Sequence, residues 1–125
     1  MGHAHGDEVL QQVAKRLTDS TRPYDSLGRY GGEEFLIVAA NCSLAETFKL
    51  AERVRSNLCS APIESSSGPI AVSASFGVSA TTVGEERDSK ALIVAADRAL
   101  YRAKELGRNR VEWLLPERGA VTELR

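Results

Sequence analysis

Arg29-Tyr30-Gly31-Gly32-Glu33-Glu34-Phe35-Leu36-Ile37-Val38-Ala39-Ala40 is the stretch on which the fold turns. Two successive glycines tolerate the positive φ values of a tight two-residue turn, so Gly31-Gly32 joins a short strand, Ser26–Tyr30, to a second, Glu34–Ala40. The second strand is apolar without a break from Phe35 to Ala40, the pattern of a central strand covered on both faces. A turn without Cβ atoms also lets backbone N–H groups approach a polyphosphate closely. The carboxylates that follow can hold Mg2+ or accept a proton from an attacking hydroxyl. Alternation along a strand sends Glu33 and Glu34 to opposite faces, so the two acids do not share one role. The same residues also read as a plain hairpin followed by solvated acids, and residue types alone do not separate the two readings.

Upstream, Asp7–Ser20 reads as a helix with Val9, Leu10, Val13 and Leu17 on one stripe and Asp7 and Glu8 in its first turn. Thr21–Asp25 contains Pro23 and reads as a loop. Downstream, Ser43 caps a helix that runs to about Ser60, with Leu44, Phe48, Ala51, Val54 and Leu58 inward. Ser65–Pro69 is a turn, and Ile70–Ser79 alternates as a strand. One face of that strand (Ala71, Ser73, Ser75, Gly77, Ser79) is uniformly small, which suits a helix packed close against it. Ser89–Leu106 is a third helix, with Leu92, Ala96, Ala99, Leu100 and Ala103 inward and Gly107 as its C′ residue. Arg110–Leu115 is a last strand, followed by a tail, Pro116–Arg125. The order α-β-β-α-β-α-β predicts an α+β fold with helices over a mostly antiparallel central sheet, a single domain over 1–115 and the tail over 116–125.

Composition bounds the function. The 125 residues are 42% hydrophobic and 26% charged with a formal net charge of −1, which speaks against a dedicated nucleic-acid binder. No apolar run is long enough to span a bilayer, and Cys42 and Cys59 lack C-x-x-C spacing, so a reducing, cytoplasmic setting is expected.

Four segments, in order, resemble the GGDEF domain of diguanylate cyclases. Gly31-Gly32-Glu33-Glu34-Phe35 resembles its signature in the variant with Glu third, and Gly2-His3-Ala4-His5-Gly6-Asp7 resembles its G-H-x-x-G-D segment. Arg22-Pro23-Tyr24-Asp25 resembles its R-x-x-D element. Ala96-Asp97-Arg98-Ala99-Leu100-Tyr101-Arg102-Ala103-Lys104, followed by Gly107-Arg108-Asn109, resembles its closing helix. The resemblance implies a nucleotidyl-cyclase-like (ferredoxin-like) palm that condenses two GTP molecules into cyclic di-GMP with release of pyrophosphate, in a homodimer with one GTP per domain. It implies Mg2+ (or Mn2+) held by Glu33 and Glu34, with Glu33 as possible general base. Asp7 is then an acceptor for the guanine edge, His3 lies near the nucleotide, Gly31 and Gly32 line the phosphates, and Lys104 and Arg108 neutralise them. Arg22, Asp25 and Arg53 match an inhibitory site for the product; Arg suits phosphate and guanine edges, and Asp suits guanine N–H donors.

Plainer roles stand beside these. Asp7 also reads as a helix N-cap, Lys104 and Arg108 as a solvated last turn, His3 as a terminal residue, and Arg22–Asp25 as a loop ion pair. In the family a strand with a D-x-D pair and a following helix precede G-H-x-x-G-D. Here the sequence opens at Met1-Gly2-His3, and Asp7, Asp19, Asp25, Asp88 and Asp97 have no D-x-D spacing. The expectation is therefore a weakened metal site and a sheet short of a central strand, in a fragment of a longer protein or a chain that completes its sheet with another copy.

Overall fold

The computed structural model describes residues 2–23, 25–31, 34–39, 42–81 and 89–116, with side chains from Gly6 onward. Its elements are α1 (Gly2–Ser20), β1 (Ser26–Gly31), β2 (Glu34–Val38), α2 (Leu44–Cys59), β3 (Ile63–Ser65), β4 (Gly68–Ile70), β5 (Phe76–Val78), α3 (Ser89–Glu105) and β6 (Val111–Trp113). The class is α+β, as expected. The strands form three separate pairs, β1–β2 and β3–β4 antiparallel and β5–β6 parallel. Two compact units emerge, Met1–Asn41 with Arg53–Ala74, and Cys42–Glu52 with Ser75–Arg125.

In the first unit, α1 starts five residues before the expected Asp7, so Asp7 lies in the second turn and is no N-cap. Nothing between Gly2 and Gly6 is a proline, so nothing there stops the i→i−4 ladder from extending backward. Leu17, Val54, Leu58 and Ile63 are this unit's buried hydrophobic residues among those described. Arg16 fastens its parts: the guanidinium donates to the Leu58 carbonyl at 2.8 Å, to the Pro62 carbonyl at 2.7 Å and to the Ala61 carbonyl. The Leu58 carbonyl, in the last turn of α2 and without a partner inside the helix, thus meets a cation, as do two carbonyls just past the helix end.

The β1–β2 register differs from the expected one. Gly31 pairs with Glu34, so Gly31 belongs to β1 instead of following it, and a bulge falls between Arg29 and Gly31; Gly32, the other half of the expected Gly31-Gly32 turn, lies outside the described residues. One extra residue, Tyr30, sits opposite the Phe35–Glu34 step. Nor is β2 a central strand covered on both faces: Phe35, Leu36 and Ile37 are half-buried, Val38 is exposed, and among the described strands only β1 pairs with it. A continuous apolar run records what the strand can be buried against, while the ladder needs partners from elsewhere in the chain. The expected strand Ile70–Ser79 divides for the same reason. Its first residue closes a hairpin with β3 around Gly68 (φ +101), and only Phe76–Val78 meet β6.

In the second unit, Ser43 and Glu46 form a reciprocal capping box at the head of α2. The Glu46 N–H donates to Ser43 Oγ at 3.1 Å, and the Ser43 N–H donates to Glu46 Oε1 at 2.9 Å. Ala51, Val78 and Val111 form a core bordered by Leu44, Phe48 and Phe76. On the other face of β5 lies α3, with Ala95, Ala99 and Ala103 buried. The approach is close: a Cβ on Gly77 would meet the Ala96 carbonyl oxygen and the Leu100 backbone, with Leu100 Cα at 2.8 Å. The small-residue face anticipated from the alternation is therefore the face that receives the helix. Ser79 Oγ is buried there without a hydrogen-bond partner among the described residues.

Candidate functional site

A cavity of about 420 Å³ opens in the first unit, lined by Asp7, Leu10, Gln11 and Ala14 of α1, Leu27, Gly28 and Arg29 of β1, and Phe35 of β2. The α1 contributors recur every three or four residues, so one helical face supplies all of them. Apolar walls with an acceptor and an amide at one side suit a flat heteroaromatic base that carries N–H donors. Asp7, expected to read such an edge, is on the wall. Arg29 and Phe35 are register partners, and Gly31 and Glu34 are the next pair toward the tip.

The remaining expected residues are placed unevenly. Glu34 is exposed at the head of β2. Gly32 and Glu33 lie outside the described residues, and His3 is described only as part of α1. Among the described residues no three His, Cys, Asp or Glu side chains stand close enough to hold a metal ion. Mg2+ takes about six oxygen ligands and commonly draws only one or two of them from carboxylates, with water and phosphate supplying the rest; of the two expected acids, Glu34 is the one among the described residues.

Arg22 and Asp25 come together through a turn closed by the Asp25 N–H on the Arg22 carbonyl at 3.0 Å, with Pro23 inside it. Arg22 Nη2 donates to Asp25 Oδ1 at 2.9 Å, Arg22 Nε to both carboxylate oxygens at 3.1–3.2 Å, and the Arg22 N–H to Oδ2 at 2.9 Å. The Asp25 side chain is fully buried. Its hydrogen bonds from the Arg22 side chain hold the carboxyl below the usual carboxylate range; burial opposes this, and the Arg22 and Arg53 charges reinforce it. Arg53 donates to the Ser20 carbonyl at 3.1 Å, so all three expected members belong to one corner of this unit.

Lys104 and Arg108 belong to the second unit, and both are exposed. Lys104 is in the last turn of α3. Gly107 (φ +124) ends the helix as expected, and the Arg108 N–H returns to the Ala103 carbonyl at 2.9 Å, the Schellman closure. Sequence reasoning did not anticipate Gln11 on the cavity wall. The available signal was its spacing, one helical turn after Asp7.

Comparison with known proteins identifies the family. The family model described as "Diguanylate cyclase, GGDEF domain" matches residues 1–110. The diguanylate cyclase DosC of Escherichia coli K12 is 44% identical over 112 residues, covering 89% of this chain and 24% of that protein. The active GGEEF domain of a diguanylate cyclase from Vibrio cholerae superposes with a TM-score of 0.78 at 34% identity, covering 95% of this chain and 73% of that one. The GGDEF domain of DgcB from Caulobacter crescentus, solved with c-di-GMP, gives a TM-score of 0.79 at 30% identity, covering 90% of this chain and 66% of that one. The chain spans 24–31% of the length of such curated relatives. With a match over nearly its whole length and these relatives beside it, the chain belongs to the diguanylate cyclase GGDEF domain family.

Proposed function

We propose that this chain is a nucleotidyltransferase domain that joins two GTP molecules into cyclic di-GMP. The observation that carries the reading is the cavity between α1 and the β1–β2 hairpin, with Asp7 on its wall and the Gly31–Glu34 pair just beyond it. Asp7 accepts hydrogen bonds from guanine N–H donors, while Gly31 and Gly32 admit the phosphates and Lys104 and Arg108 neutralise them. Glu33 takes the proton of the attacking 3′-hydroxyl. Each hydroxyl oxygen bonds to the α-phosphorus of the other nucleotide as that atom's bond to the β-phosphate bridging oxygen breaks. Two pyrophosphates leave. Two copies face each other, one GTP on each, in the cytoplasm, where GTP is available. His3 lies beside the nucleotide. Mg2+ or Mn2+, when bound at Glu33 and Glu34, neutralises phosphate charge; the described side chains alone do not amount to a full ligand set.

Arg22, Asp25 and Arg53 form the product-inhibition site in this reading. Support comes from their shared corner and from the Arg22–Asp25 contact, whose donors and acceptors match phosphate and guanine edges. Incubation with GTP and Mg2+ should yield cyclic di-GMP, and Glu33→Gln should abolish it. Binding of GTP without product would make the chain a nucleotide-binding module that signals through protein partners. Calorimetric titration with cyclic di-GMP should weaken at least tenfold in Arg22→Ala; unchanged affinity would refute the inhibitory assignment.

A further inference from the structure

Past the end of α3 the backbone is left-handed at three successive residues, Gly107 (φ +124), Arg108 (φ +62) and Asn109 (φ +48). Glycine adopts such φ at no steric cost, whereas an arginine does not, and its Cβ crowds the following carbonyl. A conformation of this kind persists only where its surroundings over-determine it. Here the fastenings are visible. The Arg108 N–H donates to the Ala103 carbonyl at 2.9 Å, and Arg110 Nη1 donates to the Leu106 carbonyl at 3.0 Å. From β5, the Phe76 N–H donates to the Arg110 carbonyl at 2.9 Å, and from the residue just before β5, Ser75 Oγ accepts the Asn109 N–H at 3.2 Å.

Most of these bonds are backbone to backbone or arise within the turn itself. The Ser75 hydroxyl is different: a side chain from a segment 34 residues away, placed on the left-handed residue next to Arg108. We propose that Ser75 is a positioning residue, holding the Gly107–Asn109 turn in the left-handed form that carries the Arg108 guanidinium to the phosphates. This rests on the reading that Arg108 binds the phosphates of GTP. Without the hydroxyl the Asn109 N–H turns to water, the strained form loses one restraint, and Arg108 spends more of its time elsewhere.

The test compares GTP with GMP, which carries the same base but lacks the β- and γ-phosphates. By calorimetry, Ser75→Ala should weaken GTP binding about tenfold, the factor that 1.4 kcal/mol represents, and leave GMP binding unchanged. Ser75→Thr keeps the hydroxyl and should restore GTP affinity. Combining Ser75→Ala with Arg108→Ala should be no worse than Arg108→Ala alone, because the serine acts through the arginine. Amide exchange at Asn109 should quicken in Ser75→Ala and recover in Ser75→Thr. Equal losses for GTP and GMP, additive losses in the double variant, or an unchanged Asn109 exchange rate would overturn the inference. Equal wild-type affinity for GTP and GMP would instead refute the phosphate role of Arg108, and the positioning role with it.

Discussion

Replacing Gly77 by alanine adds one methyl group where α3 leaves no room. The new Cβ would lie 2.8 Å from Leu100 Cα, and closer still to the Leu100 nitrogen and the Ala96 carbonyl oxygen. Carbon atoms settle about 3.5–4.0 Å apart, so backbone must retreat by about 1 Å. No rotamer change offers relief, because all three obstructing atoms are main-chain. A retreat of that size forfeits a quarter to a half of each affected dispersion contact. The losses fall on the tightly seated Ala95, Ala99 and Ala103. Overpacking of this kind costs about 3 kcal/mol, the upper end of its usual range. In a chain of this length that lowers Tm by about 12 °C, measured by circular dichroism. Gly28→Ala is the control: nothing lies within 4 Å of its added Cβ, so Tm should move by no more than about 2 °C. A Gly77→Ala melting curve within 3 °C (roughly 1 kcal/mol) of the parent would refute the close approach of α3 to β5.

Ser79→Ala should stabilise by about 1 kcal/mol in urea unfolding, because it removes a buried hydroxyl that finds no partner among the described residues. Ser43→Ala, which breaks the capping box, should cost about 1 kcal/mol by the same measurement. Arg22→Ala strips the buried Asp25 carboxylate of its guanidinium and should cost about 3 kcal/mol at pH 7. Because the folded carboxyl titrates below its ordinary value, the stabilisation from Asp25 is present above about pH 4 and is lost as pH falls through the lowered value. Urea unfolding from pH 7 to pH 3 should show this loss in the parent and a flatter profile in Asp25→Asn.

Signals carried by a few neighbouring residues were legible without coordinates. Ser43 caps α2, Gly107 ends α3, and the small side chains of 71–79 mark where a helix comes near, since each depends on local dihedral or volume requirements. Pairings between distant segments were not legible in this way. Ile70–Ser79 alternates as one strand, yet its two ends serve different partners, β3 and β6. Gly31 joined β1 instead of following it because Tyr30 is accommodated as a bulge, a choice made by the whole β1–β2 ladder rather than by the glycine. The Arg16 clamp on three carbonyls also escaped notice, as its acceptors lie more than forty residues away and carry no side-chain signature. At the candidate site, Asp7 was placed by its motif, whereas Gln11 belongs to the cavity only through the helix geometry that brings it beside Asp7.

The parallel pairing of β5 with β6 bears on the order in which the molecule assembles. A hairpin closes after a handful of residues, but Ser75 and Asn109 are 34 positions apart and meet only once an intervening helix has been wound. Chain entropy must be surrendered before any contact across that span repays it, so this part of the molecule is set to mature later than the two hairpins. The arginine turn is finished in the same late step. A nucleotide that grips it through its phosphates would bind the mature state alone, and would slow the opening of this segment in proportion to ligand concentration.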